Sequence, residues 1–347
     1  MRIAFLLDAP TVGGGYEYVR QLTEGLGSSC ESRVFYSVRG ECSARVINAW
    51  HPDIIHVNHL RALVQLFKCP WRHPCAPIVF TVHGIHLRKY DFLPKTVANF
   101  VRRSLRLMLE RLLYRRCARI IALTKTDADS LLRVYHIQTR VCVVPNGVAE
   151  SCAYGEGDSA LVGQGGYAFI SIARFNFPKG QDVLLRAIAK VQSELRARRW
   201  RTLLIGGGET FQAMQELAGV LGIGDLVVFA GEIPEAVSCM MRGRIVIAPS
   251  RWEGLPLMLC EAGRRKKFVI ASDCPGNRDI IEDGSSGLLF PVENVDALAE
   301  LLRVDYSDEA VARYGAALFA RVNTEFSVDQ MVSKTRAIYE DCLMRRT

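Results

Sequence analysis

The sequence has no long apolar run. Ile3–Leu7 stops at Asp8, too short for a secretory core or a membrane span. That stretch reads as a first buried strand, and a cytoplasmic protein with reduced thiols is expected. The 11 cysteines are scattered and odd in number, with no Cys-x-x-Cys pair. A disulfide framework is not indicated. The cluster Cys69, His73, Cys75 lacks a second ligand pair at a zinc-site spacing. Acidic residues are in deficit, 36 against 44 Lys and Arg, for a net charge of +8. The excess calls for an anionic partner, whether nucleotide, anionic lipid surface or nucleic acid. No nucleic-acid module and no basic strand interleaved with aromatics is present, which argues against the last.

What is present describes a globular protein of two domains. Apolar residues make up 49% and charged residues 23% of 347 positions. Short apolar runs at 2–7, 32–37, 53–57, 77–82, 119–123 and 140–144 alternate with helical patterns at 15–27, 41–49, 60–67, 96–117 and 126–135. This alternation predicts parallel βαβ units. Residues 150–166, rich in Gly, Ser and Ala, read as a linker. Strands at 167–172, 201–206, 226–230, 245–248, 267–271 and 287–290 follow. Helices at 181–197, 209–221, 234–241, 256–265 and 277–282 lie between them, and three more close the chain at 294–303, 307–323 and 327–344. The expected fold is α/β, with domains at 1–149 and 150–326 and a final helix, about 327–347, returning to the first domain.

The segment Ser250–Ala262 is the most informative. Glu253 and Glu261, with seven residues between them, bracket the passage from a β-branched strand into a helix, and Pro256 suits the first helical position. In an open parallel sheet the ligand crevice lies at that edge. Amides after Gly254 would meet an anion there. Dipole complementarity alone also places Glu at helix starts, so the neighbouring loops decide. Arg174 and Lys179, five residues apart in a loop entering a helix, suit a diphosphate. Leu203–Gly208 is a strand running into three glycines, a turn that would permit close helix packing and access to the cleft. Gly231–Pro234 ends a further strand at the same edge, where a base could lie against backbone. In the first half, Gly13–Gly15 open a helix after Asp8 and let backbone approach a ligand. Gly13 and Gly15 fit a dinucleotide fingerprint, but Tyr18 takes its third position and no acid ends the second strand.

Arg174, Lys179, Gly206–Gly208, Gly231, the Glu253–Glu261 element and Gly287 resemble, in order and spacing, the retaining family-4 glycosyltransferases of GT-B fold. Gly13–Gly15, Pro52–His56, Thr81–Gly84 and Val144–Val148 extend the likeness. It implies two Rossmann-like, doubly wound domains facing across a cleft, and sugar transfer from a nucleotide-diphosphate donor, with UDP the family-weighted choice. Arg174 and Lys179 would bind the diphosphate and stabilise the leaving nucleotide. Glu253 would accept from sugar hydroxyls and Glu261 from the ribose. Backbone of Gly254, Leu255 and Leu257 would contact phosphate or sugar, and that of Ile233 the base. Gly14 and Gly15 would approach the diphosphate from the first domain, with His83 near the anomeric centre. Two departures stand: Gly276–Asp279 lacks the family's glycine pair and Glu, and receives no role, and Gly84 follows His83 where an Asp or Asn is usual. No Asp-x-Asp or other carboxylate cluster stands in these segments, so no cofactor and no metal are expected. A sugar-nucleotide epimerase of similar architecture is the nearest rival, and a non-catalytic basic nucleotide-binding protein a more distant one.

Residues 95–119 carry eight cations and one acid. Phe100, Leu105, Leu109, Leu112 and Leu113 fall largely on one face, with Arg102, Arg103, Arg106 and later arginines around the other. This pattern fits a helix lying on an anionic membrane and equally one packed on the sheet. A saccharide or lipid-linked acceptor, reached at the inner face of the cytoplasmic membrane, is the expected partner.

Overall fold

A computed structural model describes the chain apart from residues 11–13, 70, 72, 138–139, 149–165, 235 and 346–347. Gly13 and all but the last residue of the expected linker 150–166 lie outside the described residues. Two compact units are present, Met1–Ala149 with Phe326–Thr347, and Glu150–Glu325. Phe326 thus falls in the first unit and not the second.

The first unit contains β1 (Arg2–Leu7), α1 (Gly14–Leu26), β2 (Glu31–Tyr36), α2 (Ala44–Ala49), β3 (Ile54–Val57) and α3 (Leu60–Leu66). It continues with β4 (Ile78–Val82), α4 (Val97–Tyr114), β5 (Arg119–Ala122), α5 (Lys125–Tyr135) and β6 (Val141–Val143). Its sheet runs β2-β1-β3-β4-β5-β6, every pair parallel. β3 and β4 are buried at every position, as strands covered on both faces must be.

The second unit holds β7 (Tyr167–Ile172), α6 (Gln181–Lys190), α7 (Gln192–Ala197), β8 (Thr202–Ile205), α8 (Phe211–Val220) and β9 (Val227–Gly231). Then come β10 (Gly243–Ala248), α9 (Leu257–Arg264), β11 (Phe268–Ser272), α10 (Pro275–Ile280), β12 (Leu288–Phe290), α11 (Val295–Arg303) and α12 (Asp308–Glu325). Its order is β12-β11-β10-β7-β8-β9, again parallel. Strand order reverses beside β1 in one sheet and beside β7 in the other, and ligand crevices form where it does.

Three local expectations are corrected. The helix expected over 181–197 breaks at Val191, whose φ of −116° ends α6 while its β-branched side chain is wholly buried. The helix expected over 234–241 is a 3-10 turn, Ala236–Arg242. Pro256 is the residue before the first turn of α9, not within it.

α13 (Val328–Met344) closes on the first unit. Its Tyr339 hydroxyl lies 2.5 Å from Nδ1 of His56, whose Nε2 lies 2.7 Å from the Thr81 hydroxyl. His56 is fully buried, so the Pro52–His56 motif supplies a core strut that joins β3, β4 and α13. α4 turns Glu110, Leu113 and Tyr114 inward. Glu110 is held there by Arg106 at 2.7 Å and by the Tyr135 hydroxyl at 2.5 Å. The opposite face is apolar and open: Phe100, Leu105, Leu109 and Leu112 are exposed by 68, 57, 44 and 55%. Packing of that face on the sheet is therefore overturned; of the five residues only Leu113 is buried.

Burial keeps His56 neutral, its pKa pulled down from 6.5 to about 3. The unfolded chain takes up this proton near pH 6.5 and the folded chain only near 3, so the unfolded state binds more protons in between. The contribution is complete above the upper value and is lost as pH falls through the window, at up to about 1.4 kcal/mol per pH unit. Urea denaturation of wild type and His56→Gln from pH 7 to pH 4 should show a shallower acid loss in the variant. Equal slopes would place the acid sensitivity elsewhere.

Candidate active site

In the second unit the loops after β7 and β10 meet at the switch point of the sheet. Lys179 Nζ and Glu253 Oε1 are 2.5 Å apart, and the same oxygen accepts from the Ser250 hydroxyl at 2.6 Å. Arg174 is exposed, with no side-chain ion pair or hydrogen bond among the described residues. A cation left in solvent in this loop can turn to an incoming anion without first losing a partner. Glu261 is half-buried, five residues into α9. Gly254 and Leu255 are buried just before that helix, and Leu257 is its first residue. Ile233 is buried two residues beyond β9.

Neighbouring loops hold this arrangement. The glycine turn after β8 supports the Arg174 loop directly: Phe175 N–H donates to Gly207 O at 2.8 Å and Ala173 N–H to Ile205 O at 3.0 Å. Gly208, at φ +145°, has no room for a side chain, because a Cβ would stand 2.3 Å from Phe175 O. The turn thus serves loop-on-loop packing, where close helix packing was expected.

Arg251, unassigned from sequence, is the main organiser. Its guanidinium is buried, forks onto Asp182 at 2.9 and 2.7 Å, donates Nε to Glu293 at 2.7 Å and binds Phe177 O at 2.7 Å. It also lies 4.0 Å over the Phe177 ring. The signal for it was an Arg inside the Ser250–Glu253 string with an acid, Asp182, just past the Lys179 loop. Nothing in the sequence paired them. Gly276 also acquires a role: a Cβ there would meet Gly254 O at 2.1 Å and Glu253 Cβ at 2.8 Å, so α10 buttresses the Glu253 loop.

In the first unit the carboxyl edge gathers Gly15, His59 and His83. The two imidazoles stack with centroids 5.9 Å apart, and Tyr18 meets His83 edge-on at 5.2 Å. His83 Nε2 lies 3.3 Å from Asn58 Oδ1. A Cβ on Gly15 would stand 3.0 Å from the His59 ring. Gly14 is exposed at the start of α1. His59 Nδ1 accepts the Asp8 N–H at 3.2 Å, which leaves the ring proton on Nε2. Burial lowers the His59 pKa against the opposing pull of Asp8. Among the described residues no group of three or more His, Cys, Asp or Glu is placed to hold a metal ion.

Two family models divide the chain between them: Glycosyltransferase Family 4 matches residues 16–151 and Glycosyl transferases group 1 matches residues 160–314. The chain belongs to glycosyltransferase family 4. Among relatives in this family, a D-inositol 3-phosphate glycosyltransferase of Nocardia farcinica is 31% identical over 72% of this chain and 58% of its own. A lipopolysaccharide core biosynthesis mannosyltransferase, LpcC of Rhizobium leguminosarum, is 27% identical over 49% of each chain. The chain spans about half the length of the curated relatives it matches. Among solved structures, Anabaena Alr3699/HepE in complex with UDP and glucose superposes with a TM-score of 0.81 at 17% identity, over 98% of this chain and all of that one. The fold is GT-B, built from two Rossmann-like units.

Gly276→Ala tests the buttress. Overpacking should cost about 1–3 kcal/mol, read as a lowered denaturation midpoint, and should displace Glu253. An unchanged midpoint would show that α10 can back away freely.

Proposed function

We propose that the protein transfers a sugar from a UDP-sugar to a saccharide or lipid-linked acceptor, with retention of anomeric configuration. The observation that carries this reading is the edge of the second sheet, where Lys179 pairs with Glu253, exposed Arg174 stands in the same loop as Lys179, and α9 begins four residues after Glu253. Cleavage of the donor builds negative charge on the diphosphate and positive charge on the sugar. Helix amides fixed in place, with cations that need only a short movement, stabilise the first. Arg174 supplies a planar fork and Lys179 a point charge, Glu253 accepts from sugar hydroxyls, and Glu261 accepts from ribose. Backbone of Gly254, Leu255 and Leu257 contacts phosphate or sugar, and Ile233 backbone contacts the base. No cofactor or metal is assigned to the step, since these cations already oppose the leaving group.

To the first unit we assign the remaining contacts. Gly14 and Gly15 present backbone to phosphate, and His83 stands near the anomeric centre. Its bond to Asn58 and its stack on His59 fix the ring. The relatives support this reading: the Anabaena structure holds UDP and glucose, and the Rhizobium protein is named for lipopolysaccharide core synthesis.

Arg174→Ala and Glu261→Ala should each reduce acceptor-dependent release of UDP at least tenfold, as loss of a charge-assisted hydrogen bond worth about 1.5–3 kcal/mol requires. Thermal melting should stay unchanged. Wild-type rates in both variants would sink the assignment, and an inverted product anomer by NMR would remove retention.

The acceptor is met at the inner face of the cytoplasmic membrane, on which α4 lies. No helix among the described residues is long and apolar enough to cross a membrane. α4 instead offers Val97, Val101, Leu105, Met108 and Leu112 along one exposed stripe, at the i, i+4, i+8, i+11 and i+15 positions. Arginines flank it, and such a helix lies in the headgroup plane with its charged heads in phosphate. Leu105→Ser combined with Met108→Ser and Leu112→Ser should abolish co-sedimentation with anionic vesicles at low salt. Because all three are exposed, melting should shift little. Retained binding would show that the stripe has another use, such as pairing with a second copy, which light scattering would reveal.

A further inference from the structure

At the amino-terminal edge of the first sheet, opposite His83, lies a cavity of about 530 Å³ lined by four arginines: Arg116, Arg119, Arg140 and Arg345. It belongs to neither group of site residues described above. Ile78 and Arg119 begin β4 and β5, and Arg140 precedes β6, so the cavity sits where three parallel strands start. No Asp or Glu lines it among the described residues. Asp341 is shared by Arg119 and Arg345, the latter at 2.8 Å. Arg140 donates to the carbonyls of Arg115 and Cys117 at 2.5 and 3.0 Å. Arg116 stacks over the Phe67 ring at 4.9 Å. Four guanidiniums against one carboxylate leave three positive charges, and their positions are fixed by backbone, ring and carboxylate contacts. Guanidiniums so held match the oxygens of a phosphate group.

The cavity lies just past the end of α4, which carries the exposed stripe: Arg116, two residues beyond Tyr114, lines it. α4 has 18 residues, about 27 Å at 1.5 Å per residue. Arg115, the carboxyl cap of α4, follows Leu112 by three residues, and Arg116, the next residue, lines the cavity. An apolar stripe ending in a basic pocket has the form of a lipid: chain, then headgroup.

We infer that this pocket binds the phosphate of an anionic phospholipid headgroup while α4 lies in the bilayer surface. The inference rests on the proposed docking of α4. Its test compares the full chain on two sets of phosphatidylcholine vesicles matched in surface potential, one charged by phosphatidic acid and the other by oleate, with inorganic phosphate as competitor. The wild type should prefer phosphatidic acid by about tenfold, the effect of one lost charge-assisted hydrogen bond. Arg116→Gln with Arg140→Gln should erase the preference. Arg33→Gln with Arg39→Gln, which removes the same charge near β2 at the far edge of the sheet, should preserve it. Equal wild-type binding to both vesicles would overturn the pocket and leave the docking of α4 standing. No binding to either would overturn both. Displacement by millimolar inorganic phosphate, without any lipid preference, would assign the pocket to free phosphate and overturn the headgroup assignment.

Discussion

The buried guanidinium of Arg251 fixes the edge on which the proposed chemistry depends. It rises from the loop after β10 and touches the loop after β7, the first turn of α6 through Asp182, and Glu293 beyond β12. A buried charge is tolerated only when fully paired, and losing one partner is costly. Arg251 satisfies this by fork, single bond, carbonyl and ring together, so the loops cannot drift apart without stranding it. Their register then brings Lys179 to Glu253. The glycine turn after β8 and Gly276 of α10 close on the same loops from two other sides.

Within that frame the Lys179–Glu253 pair differs in character. Its side chains are 27 and 12% exposed, so water still reaches it, and such pairs contribute little net stability. Arg251 is locked, whereas Lys179 is held only by an interaction that a diphosphate can replace. A rigid cation sets the shape of the edge, and a mobile one, with exposed Arg174, is left for the proposed ligand. This division is what preorganised stabilisation of a leaving group requires: fixed dipoles, and charges that need only a short movement.

Most strands were legible because a buried parallel strand reads as an uninterrupted β-branched run, and Glu253, Glu261, Arg174 and Lys179 stood out as proposed site residues because loop motifs are local. Arg251 was not. Its partners lie 69 and 42 residues away, and no local pattern distinguishes a structural Arg from a surface one. His56 illustrates the reverse: the sequence marked its motif, yet its bonds to Thr81 and Tyr339 show a buried strut, 283 residues of chain separating the latter pair. α4 exposes a different limit. Periodicity shows that a helix has an apolar face but not that this face points inward. Here Arg106, Glu110 and Tyr135 form a paired polar contact on the inner side, which frees the apolar face to point outward.

That inversion bears on how the first unit works. A contiguous apolar surface exposed to water is unfavourable and marks an interaction site in soluble proteins. The polar anchor of Glu110 makes the exposure a property of the folded unit, since turning α4 over would bury arginines and strand a carboxylate. The helix follows the segment after His83 and ends at the arginine cavity, so it spans from the carboxyl edge of the sheet to the amino edge. The surface contact proposed along its length would therefore hold His83 at a set height above that surface, and the proposed headgroup pocket would anchor the far end. Two points of attachment about 27 Å apart, 18 residues at helical rise, define an orientation where one would define only a location.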